Sequence, residues 1–292
     1  MTDTLQHEGV ALALRVFEST GPARASVVIG GAMGVRQDFY TDFAQWLAGQ
    51  GLRVTTFDYR GSGASAPVSL KGYQADLFDW ARDYEAVVAH AKAALPEAPL
   101  YLLGHSLGAQ LPGLFQRPER VAGLLSVAAG SGYWRENAPQ LKRTVLYFWH
   151  VAVPLATRLW GYFPGRRLRK VGDLPAGVVL QWRKWCLHPR YSVGAEGQAV
   201  GASYGRVRFP VLAWSMTDDE LMTLRGTHSL VGLYANAPQH IEAISPQQVA
   251  ARRIGHFGFF RDHFQATLWP RAAQTFMTWP VMAEGDVTPQ TA

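Results

Sequence analysis

Ser106 lies in the segment YLLGHSLGAQ, with a glycine two positions to either side. The apolar run at 100–103 predicts a buried strand, and a helical stretch is predicted from Leu107. A tight strand–turn–helix connection holds its central residue in strained backbone geometry and exposes its hydroxyl. In such a turn a Cβ atom at Gly104 or Gly108 would collide with neighbouring backbone. The pattern is typical of a nucleophilic serine, which needs a general base and an acid that orients the base.

The elements that position this serine follow from the hydrophobic pattern. The runs ASVVIG, LRVTTF, LYLLGHS and VAGLLSVAAG predict buried strands, whereas VALALRVFE alternates and predicts an edge strand. RQDFYTDFAQWLAGQG has helical periodicity up to Gly51, and ADLFDWARDYEAVVAHAKAAL has it from Asp76, which can cap the helix. This alternation predicts an α/β fold with a mostly parallel central sheet and helices on both faces. Functional groups gather at the carboxyl ends of such strands.

Several motifs resemble those of one superfamily. GHSLG after a strand resembles the nucleophile elbow of the α/β-hydrolases, and FDYRGSG, residues 57–63, resembles the D-x-R-G-x-G segment of many members. With GGAMG and GHFGFFR, the chain most resembles a poorly characterised group of predicted α/β-hydrolases, over about residues 27–269 with one interruption. The resemblance implies an α/β-hydrolase fold and the chain order serine, acid, histidine.

The resemblance places the acid after Ser106. The apolar run in FPVLAWSMTDDELMT ends in Asp218 and Asp219. The matching family pattern has the acid at the second position, which implies Asp219, with Asp218 as the alternative. We expect the other carboxylate to cap a helix that starts near Glu220.

The same resemblance implies that His256, in RIGHFGFFR, is the general base, carried by a glycine-flanked loop after the strand-like HIEAIS. His263 is the nearest rival, but it lies in a helical pattern that is typical of a surface or packing residue. His105 adjoins the nucleophile, and we expect it to pack beside the site. No group has metal-ligand spacing, so no metal is expected. No organic cofactor is expected either, because the chemistry of such a triad uses protein groups alone. Two more histidines without a partner pattern are predicted to be structural: His228 and His240.

Acyl transfer also requires backbone N–H donors for an oxyanion. The resemblance assigns one donor to Leu107 and the other to the loop in VVIGGAMGV. Aligned on the family pattern H-G-x-x-G, the second donor is Ala32, with Met33 as the alternative. Gly30 stands where many relatives carry histidine, so the support of this loop differs from theirs. A plain glycine-rich turn is the other interpretation, and the segment lacks the Lys-Ser/Thr ending of a phosphate-binding loop.

The interruption in the resemblance is rich in aromatic residues, and relatives often insert a helical cap at this position. We therefore predict an α/β-hydrolase core of residues 1–130 and 209–292 with a cap (lid) insertion at 131–208. Such a cap would form an apolar acyl pocket and exclude water, although most of its aromatic side chains are expected to pack the cap onto the core. The aromatic residues are Trp134, Tyr147, Phe148, Trp149, Trp160, Tyr162, Phe163, Trp182 and Trp185.

Composition limits the class of protein. A chain of 292 residues with 48% hydrophobic content fits one large domain or a domain with an insertion. The single cysteine, Cys186, cannot form an internal disulfide and is predicted to be a partly buried, inert thiol. The N-terminus lacks the basic region of a secretory signal, and His150, Pro154 and Arg158 interrupt the most apolar run. We expect a cytoplasmic protein without stable membrane insertion.

The net charge is +6, and basic residues gather in GRRLRK, residues 165–170. A solvated loop is the preferred interpretation of this segment, and a weak attraction to anionic surfaces is the alternative. No nucleic-acid module is recognisable, so no nucleic-acid partner is expected.

Together these features predict a carboxylesterase- or lipase-like serine hydrolase that cleaves small-molecule esters through an acyl-enzyme intermediate. The same triad also serves acyltransferases, thioesterases, amidases and C–C hydrolases, so these remain alternatives. A non-catalytic binding scaffold is a further alternative.

Overall fold

The computed structural model describes residues 2–168 and 171–279. Two parts of the sequence analysis lie outside the described residues. They are Arg169 and Lys170 of the basic segment, and the end of the predicted core, 280–292. The strands are β1 (Thr2–His7), β2 (Val10–Phe17), β3 (Ala25–Gly30), β4 (Leu52–Phe57), β5 (Leu100–His105), β6 (Gly123–Val127), β7 (Tyr162–Phe163), β8 (Leu174–Pro175), β9 (Val211–Met216) and β10 (Gln239–Ile244). The α-helices are α1 (Thr41–Gly49), α2 (Leu77–Ala94), α3 (Pro139–Tyr147), α4 (Val153–Trp160), α5 (Ala176–Leu187), α6 (Tyr191–Glu196), α7 (Gln198–Tyr204), α8 (Leu224–Val231), α9 (Gly255–Gly258) and α10 (Leu268–Thr278).

One sheet of eight strands has the order β1-β2-β4-β3-β5-β6-β9-β10. β2 pairs antiparallel with β1 and β4, and all the other neighbours are parallel, which confirms the predicted mostly parallel sheet. The prediction that the strand at 10–17 lies at the edge is wrong, because β1 covers it. The cause is a tight turn at Glu8 and Gly9, both with positive φ, that folds the polar N-terminal segment back onto β2.

Helices cover both faces of the sheet, and alternate strand residues face opposite layers. Val28 packs into the layer that contains α2, whereas Val27 and Ile29 pack into the layer that contains α1 and α10. Helix α2 starts as predicted: the Asp76 carboxylate accepts the Asp79 N–H at 2.9 Å, and the Asp79 carboxylate accepts the Asp76 N–H at 2.9 Å.

The chain between β6 and β9 forms helices α3–α7 and the short antiparallel ribbon of β7 and β8. Trp149, Phe163 and Trp185 are buried in the same apolar layer as α2, as expected for residues that pack this segment onto the core. Tyr147, in contrast, is exposed. No helix within residues 2–168 and 171–279 combines the length and the apolar character needed to span a bilayer.

Candidate active site

Ser106 directly follows β5 and has a φ of +53°, a left-handed conformation that is unusual for a residue other than glycine. A Cβ atom on Gly104 would lie 2.5 Å from the backbone nitrogen of Ala109, and one on Gly108 would lie 2.0 Å from the carbonyl oxygen of Gly30. These distances confirm the predicted tight, strained turn. The Ser106 side chain makes no hydrogen bond to any residue that the structure describes.

The chain after Ser106 differs from the prediction. It forms two short 3₁₀ turns, Ser106–Ala109 and Leu111–Leu114, instead of an α-helix. Pro112 has no N–H and so cannot donate to the carbonyl of Gly108, the bond that an α-helix would require. Leu107 still lies in the first turn, where a backbone N–H has no acceptor within the helix.

His256 and Asp219 form a buried pair at the carboxyl edge of the sheet. The His256 Nδ1 lies 2.8 Å from Asp219 Oδ2, and each side chain is 2% exposed. The other carboxylate oxygen, Asp219 Oδ1, accepts the N–H groups of Leu221 at 2.7 Å and Met222 at 2.9 Å. These bonds fix the carboxylate and leave Nε2 as the ring nitrogen of His256 that can serve another partner.

Within residues 2–168 and 171–279, the hydrogen-bond partners of the carboxylate of Asp218, the alternative acid, are all backbone groups. This carboxylate accepts the N–H groups of Ile254 at 2.9 Å and Gly255 at 3.0 Å. The expected capping of a helix near Glu220 is wrong, because α8 begins at Leu224 and its cap is Thr223. Asp218 instead fixes the segment that carries the histidine.

Glu220 also holds the His256 segment. Its Oε2 accepts the His256 N–H at 3.1 Å and lies 3.0 Å from the Arg253 guanidinium. Burial favours a higher Glu220 pKa, but backbone hydrogen bonds and Arg253 outweigh it and hold the pKa below its ordinary value. His256 itself lies in the four-residue helix α9 and not in an open loop.

His105 and Tyr40 form a buried relay beside the site. The Tyr40 hydroxyl accepts the Ala32 N–H at 2.9 Å, so its own proton points to His105 Nδ1, also at 2.9 Å. His105 Nε2 in turn donates to the carbonyl oxygen of His256 at 3.0 Å. Burial, and then the proximity of His256, hold the pKa of His105 well below its ordinary value, so the ring is neutral.

This relay links the glycine-rich loop, the residue before Ser106 and the backbone of His256. The sequence predicted only that His105 packs beside the site. Tyr40 and Glu220 were missed because their partners lie 65 and 36 residues away, and no local spacing signals such pairings.

The glycine-rich loop makes its two candidate donors unequal. The Ala32 N–H donates to Tyr40, whereas the Met33 N–H has no acceptor within residues 2–168 and 171–279. A turn closed by the Val35 N–H and the Ala32 carbonyl at 3.0 Å, with Gly34 at a φ of +69°, fixes the loop. Both amides belong to buried residues.

The segment between β6 and β9 reaches the loops on either side of Ser106. Gln110, four residues after Ser106, accepts the Tyr191 hydroxyl through Oε1 at 2.7 Å and the Tyr204 hydroxyl through its carbonyl at 2.6 Å. On the other side, the Gly172 N–H donates to the Gly34 carbonyl at 3.1 Å. Helices α6 and α7 are thus tied to the elbow, and the 171–172 segment to the glycine-rich loop.

The remaining candidates lie elsewhere. His228, His240 and His263 are exposed, and Cys186 is buried, which raises the pKa of its thiol well above the ordinary value. Asp58, in FDYRGSG, accepts the N–H groups of Gln37 and Ala64 at 2.9 Å each, which is a structural role. The described ranges contain no cluster of three or more His, Cys, Asp or Glu residues able to hold a metal ion.

A family model described as serine aminopeptidase, S33, matches residues 21–244, a range that includes Ser106 and Asp219. Human monoglyceride lipase is 28% identical over 123 residues, which are 41% of this chain and 40% of that protein. The match therefore spans less than half of this curated relative.

Two solved structures cover nearly the whole chain. A soluble variant of monoglyceride lipase from Saccharomyces cerevisiae has a TM-score of 0.63 at 14% identity and covers 94% of each chain. Est1E from Butyrivibrio proteoclasticus, with bound ferulic acid, has a TM-score of 0.60 at 16% identity over 94% of this chain and 97% of that one. At these identities the two structures establish the α/β-hydrolase fold. Because the family model spans well over half of the sequence, the chain belongs to the serine aminopeptidase S33 family of α/β-hydrolases.

Proposed function

We propose that the protein cleaves carboxylic esters through an acyl-enzyme intermediate, with Ser106 as nucleophile, His256 as general base and Asp219 as the orienting acid. The observation that carries this proposal is the buried 2.8 Å contact between His256 Nδ1 and Asp219 Oδ2. It lies at the sheet edge where β5 presents Ser106 in a strained, left-handed conformation. A serine hydroxyl in that position becomes an effective nucleophile only with such a base.

The proton transfers follow from the partners of the imidazole. Because Nδ1–H donates to Asp219, Nε2 carries the lone pair that takes the Ser106 proton as Oγ attacks the ester carbonyl. The resulting imidazolium returns the proton to the leaving alcohol, and the acyl group stays on Ser106. A water molecule, deprotonated by His256 in the same way, then attacks the acyl-enzyme and releases the carboxylic acid product from Ser106. In unliganded hydrolases the distance between the serine and the histidine is often too long for a hydrogen bond. We expect substrate binding to bring Ser106 and His256 within hydrogen-bonding distance.

Two backbone amides would stabilise the oxyanion. Leu107 supplies one N–H from the first turn after the nucleophile. For the second, Ala32 would have to leave or share its bond to Tyr40, whereas the Met33 N–H is without an acceptor in the described part of the chain. We therefore propose Met33 as the second donor, and the Ala32 assignment remains the alternative prediction.

We further propose that residues 131–208 form a cap over this site and that the substrate carries an apolar acyl chain. Contacts from this segment to Gln110 and Gly34, on the two sides of Ser106, support the cap. The relatives named monoglyceride lipase support an acyl ester as substrate. The description of the family as a serine aminopeptidase favours a second candidate, hydrolysis of an amide by the same residues.

The test is labelling with a fluorophosphonate probe, followed by assays on p-nitrophenyl esters of graded acyl length, thioesters and amides. We expect labelling and turnover by the wild type, loss of both in Ser106→Ala, and rates on esters that rise with acyl length. Ser126→Ala is the matched control, because Ser126 is a buried serine on the adjacent strand β6. Labelling that survives Ser106→Ala would refute the nucleophile, and absence of labelling in a folded wild type would favour the scaffold. Faster cleavage of amides would select the second candidate.

A further inference from the structure

An apolar stripe lies on the outer face of the segment proposed as the cap. Helix α3, the π-helical turn at 148–152 and helix α4 run without a break from Pro139 to Trp160. Four large side chains at steps of four residues are exposed along it, and a spacing of four keeps them on one side of a helix. These four residues, the apolar stripe, are Tyr147, Val151, Leu155 and Leu159, with exposures of 67%, 42%, 54% and 63%.

The opposite face of the same helical segment has a partner. Val145, Trp149 and Val153 are buried in the layer that contains α2. The apolar stripe is therefore not needed to pack this segment onto the core. A contiguous exposed apolar surface on a folded protein marks an interaction site.

Basic residues accompany the apolar stripe. Positions 137–172 contain seven Lys or Arg residues and no Asp or Glu. Lys142, Arg143 and Arg158, on α3 and α4, are exposed and form no ion pair with any residue in the described ranges. Unpaired basic groups next to exposed leucine, valine and tyrosine are the combination that anionic lipid headgroups and acyl chains attract together.

The exposed surface extends past the end of α4. Val68 belongs to the part of the chain proposed as the α/β-hydrolase core domain, and its side chain is fully exposed. It lines a surface depression together with Tyr162 and Arg166. Seven of the ten large exposed hydrophobic residues in the described ranges belong to the apolar stripe or to its surroundings; the additional three are Leu146, Val68 and Leu168.

We propose that the apolar stripe and the basic residues around it form a surface that adsorbs to anionic lipid bilayers, with the leucines inserted at the level of the headgroups. The charge of this surface distinguishes a bilayer from a second copy of the chain. Two copies facing each other would bring like charges together, whereas an anionic membrane neutralises them. Adsorption does not require turnover, so this proposal can fail or hold independently of the ester hydrolysis proposed above.

The test is cosedimentation with vesicles, with every protein in the Ser106→Ala background so that no lipid is hydrolysed. One set of vesicles is phosphatidylcholine alone, and the other contains about one third phosphatidylglycerol. We expect binding to the anionic vesicles to be about tenfold stronger, and about 0.5 M salt to weaken it strongly.

Variants locate the surface. Leu155→Ser with Leu159→Ser should weaken binding to anionic vesicles by about tenfold or more, because both inserting side chains are lost. Lys142→Gln, Arg143→Gln and Arg158→Gln together should remove the preference for anionic lipid. The matched control is Leu224→Ser with Met277→Ser, two residues that are 43% and 39% exposed outside the stripe, and it should bind as the parent does.

Two outcomes would overturn the proposal. The first is no binding by the parent protein, or equal binding by the Leu155→Ser/Leu159→Ser protein and its control, with all proteins folded by circular dichroism. The second is a concentration-dependent dimer in light scattering that the same double substitution abolishes while vesicle binding is unaffected, which would assign the stripe to a second copy.

Discussion

Two neighbouring carboxylates, Asp218 and Asp219, have different partners, and this difference assigns them different roles. Asp219 contacts the imidazole of His256, whereas Asp218 accepts the backbone N–H groups of Ile254 and Gly255 and bonds to no side chain in the described part of the chain. A carboxylate on Nδ1 selects the tautomer and stabilises the imidazolium that forms during the reaction. A carboxylate that accepts hydrogen bonds from backbone N–H groups affects only where the His256 ring is held.

Substitution should separate these roles. Asp219→Asn is expected to lower kcat by about 10⁴-fold, because the amide no longer fixes the tautomer of His256. Asp218→Asn retains an oxygen acceptor for one of the two backbone N–H groups and leaves the contact of Asp219 with the ring in place, so it should lower kcat by about tenfold or less. Steady-state kinetics on the best ester, with thermal unfolding to verify the fold, measure both. A larger loss in Asp218→Asn than in Asp219→Asn would reverse the assignment of the acid.

We predict that the free energy of unfolding decreases at acidic pH because of the buried side chain of His105. Its folded-state pKa lies well below the ordinary value of 6.5, because burial and the proximity of His256 oppose a charge there. Below pH 6.5 the unfolded chain binds a proton at this ring and the folded protein does not, so the free energy of unfolding falls as the pH falls. The expected loss from this residue is about 1.4 kcal/mol per pH unit until the folded-state pKa is reached.

Urea unfolding at several pH values between about 5 and 8 measures this effect. His105→Gln keeps an acceptor toward Tyr40 and a donor toward the His256 carbonyl but does not titrate, so its stability should depend less steeply on pH. Identical slopes for the two proteins would mean that His105 is not the group responsible.

The residues of the site were predictable to the extent that local spacing reveals them. Ser106 was recognisable from its glycines, and His256 and Asp219 from short motifs, and the structure brings the latter two into contact. The supporting groups were not predictable. Tyr40 and Glu220 act through hydrogen bonds to residues far along the chain, and only the folded backbone brings these partners together.

At the level of elements, the buried strands and the helices α1 and α2 followed from apolar periodicity, because burial on two faces of a sheet leaves a strong local pattern. β1 escaped prediction because its segment, TDTLQH, is polar, and antiparallel pairing with β2 stabilises it instead. The stretch from Leu107 was predicted as a helix. Pro112 breaks the hydrogen-bond pattern, so 3₁₀ turns form there.

The elbow requires its glycines for close packing, and Gly108 gives the sharpest test. In Gly108→Ala the added Cβ would lie 2.0 Å from the Gly30 carbonyl oxygen, so the turn after β5 and the end of β3 must separate. We expect a destabilisation of about 3 kcal/mol or more and loss of ester turnover. Gly49→Ala is the matched control, since its Cβ meets nothing within 4 Å and alanine favours the helix. Chemical unfolding and probe labelling measure the two effects, and a stable, active Gly108→Ala would contradict the packing argument.

At the level of the whole molecule, buried polar contacts that no sequence pattern predicts add to the apolar packing that holds the segment between β6 and β9 on the core. Gln110 is central to them. Its Oε1 accepts the Tyr191 hydroxyl, its Nε2 donates to the Gly130 carbonyl at 2.8 Å, and its own carbonyl accepts the Tyr204 hydroxyl. Since Gln110 lies four residues after Ser106, these bonds couple the position of the proposed cap to the elbow.

Gln110→Met tests whether this coupling shapes an acyl pocket. The substitution keeps the volume but leaves the Tyr191 hydroxyl and the Gly130 carbonyl without their partner, at a cost of about 1–3 kcal/mol for each buried group. If the cap forms the wall of the pocket, KM for an octanoyl ester should rise by about fivefold or more, and KM for an acetyl ester should hardly change, because a short chain does not reach the cap. Gln116→Met is the control, because Gln116 is an exposed glutamine on the same connection between β5 and β6 as Gln110. An equal rise in KM for both esters would show that the loss lies at the elbow, and the cap would then have no part in recognising the acyl chain.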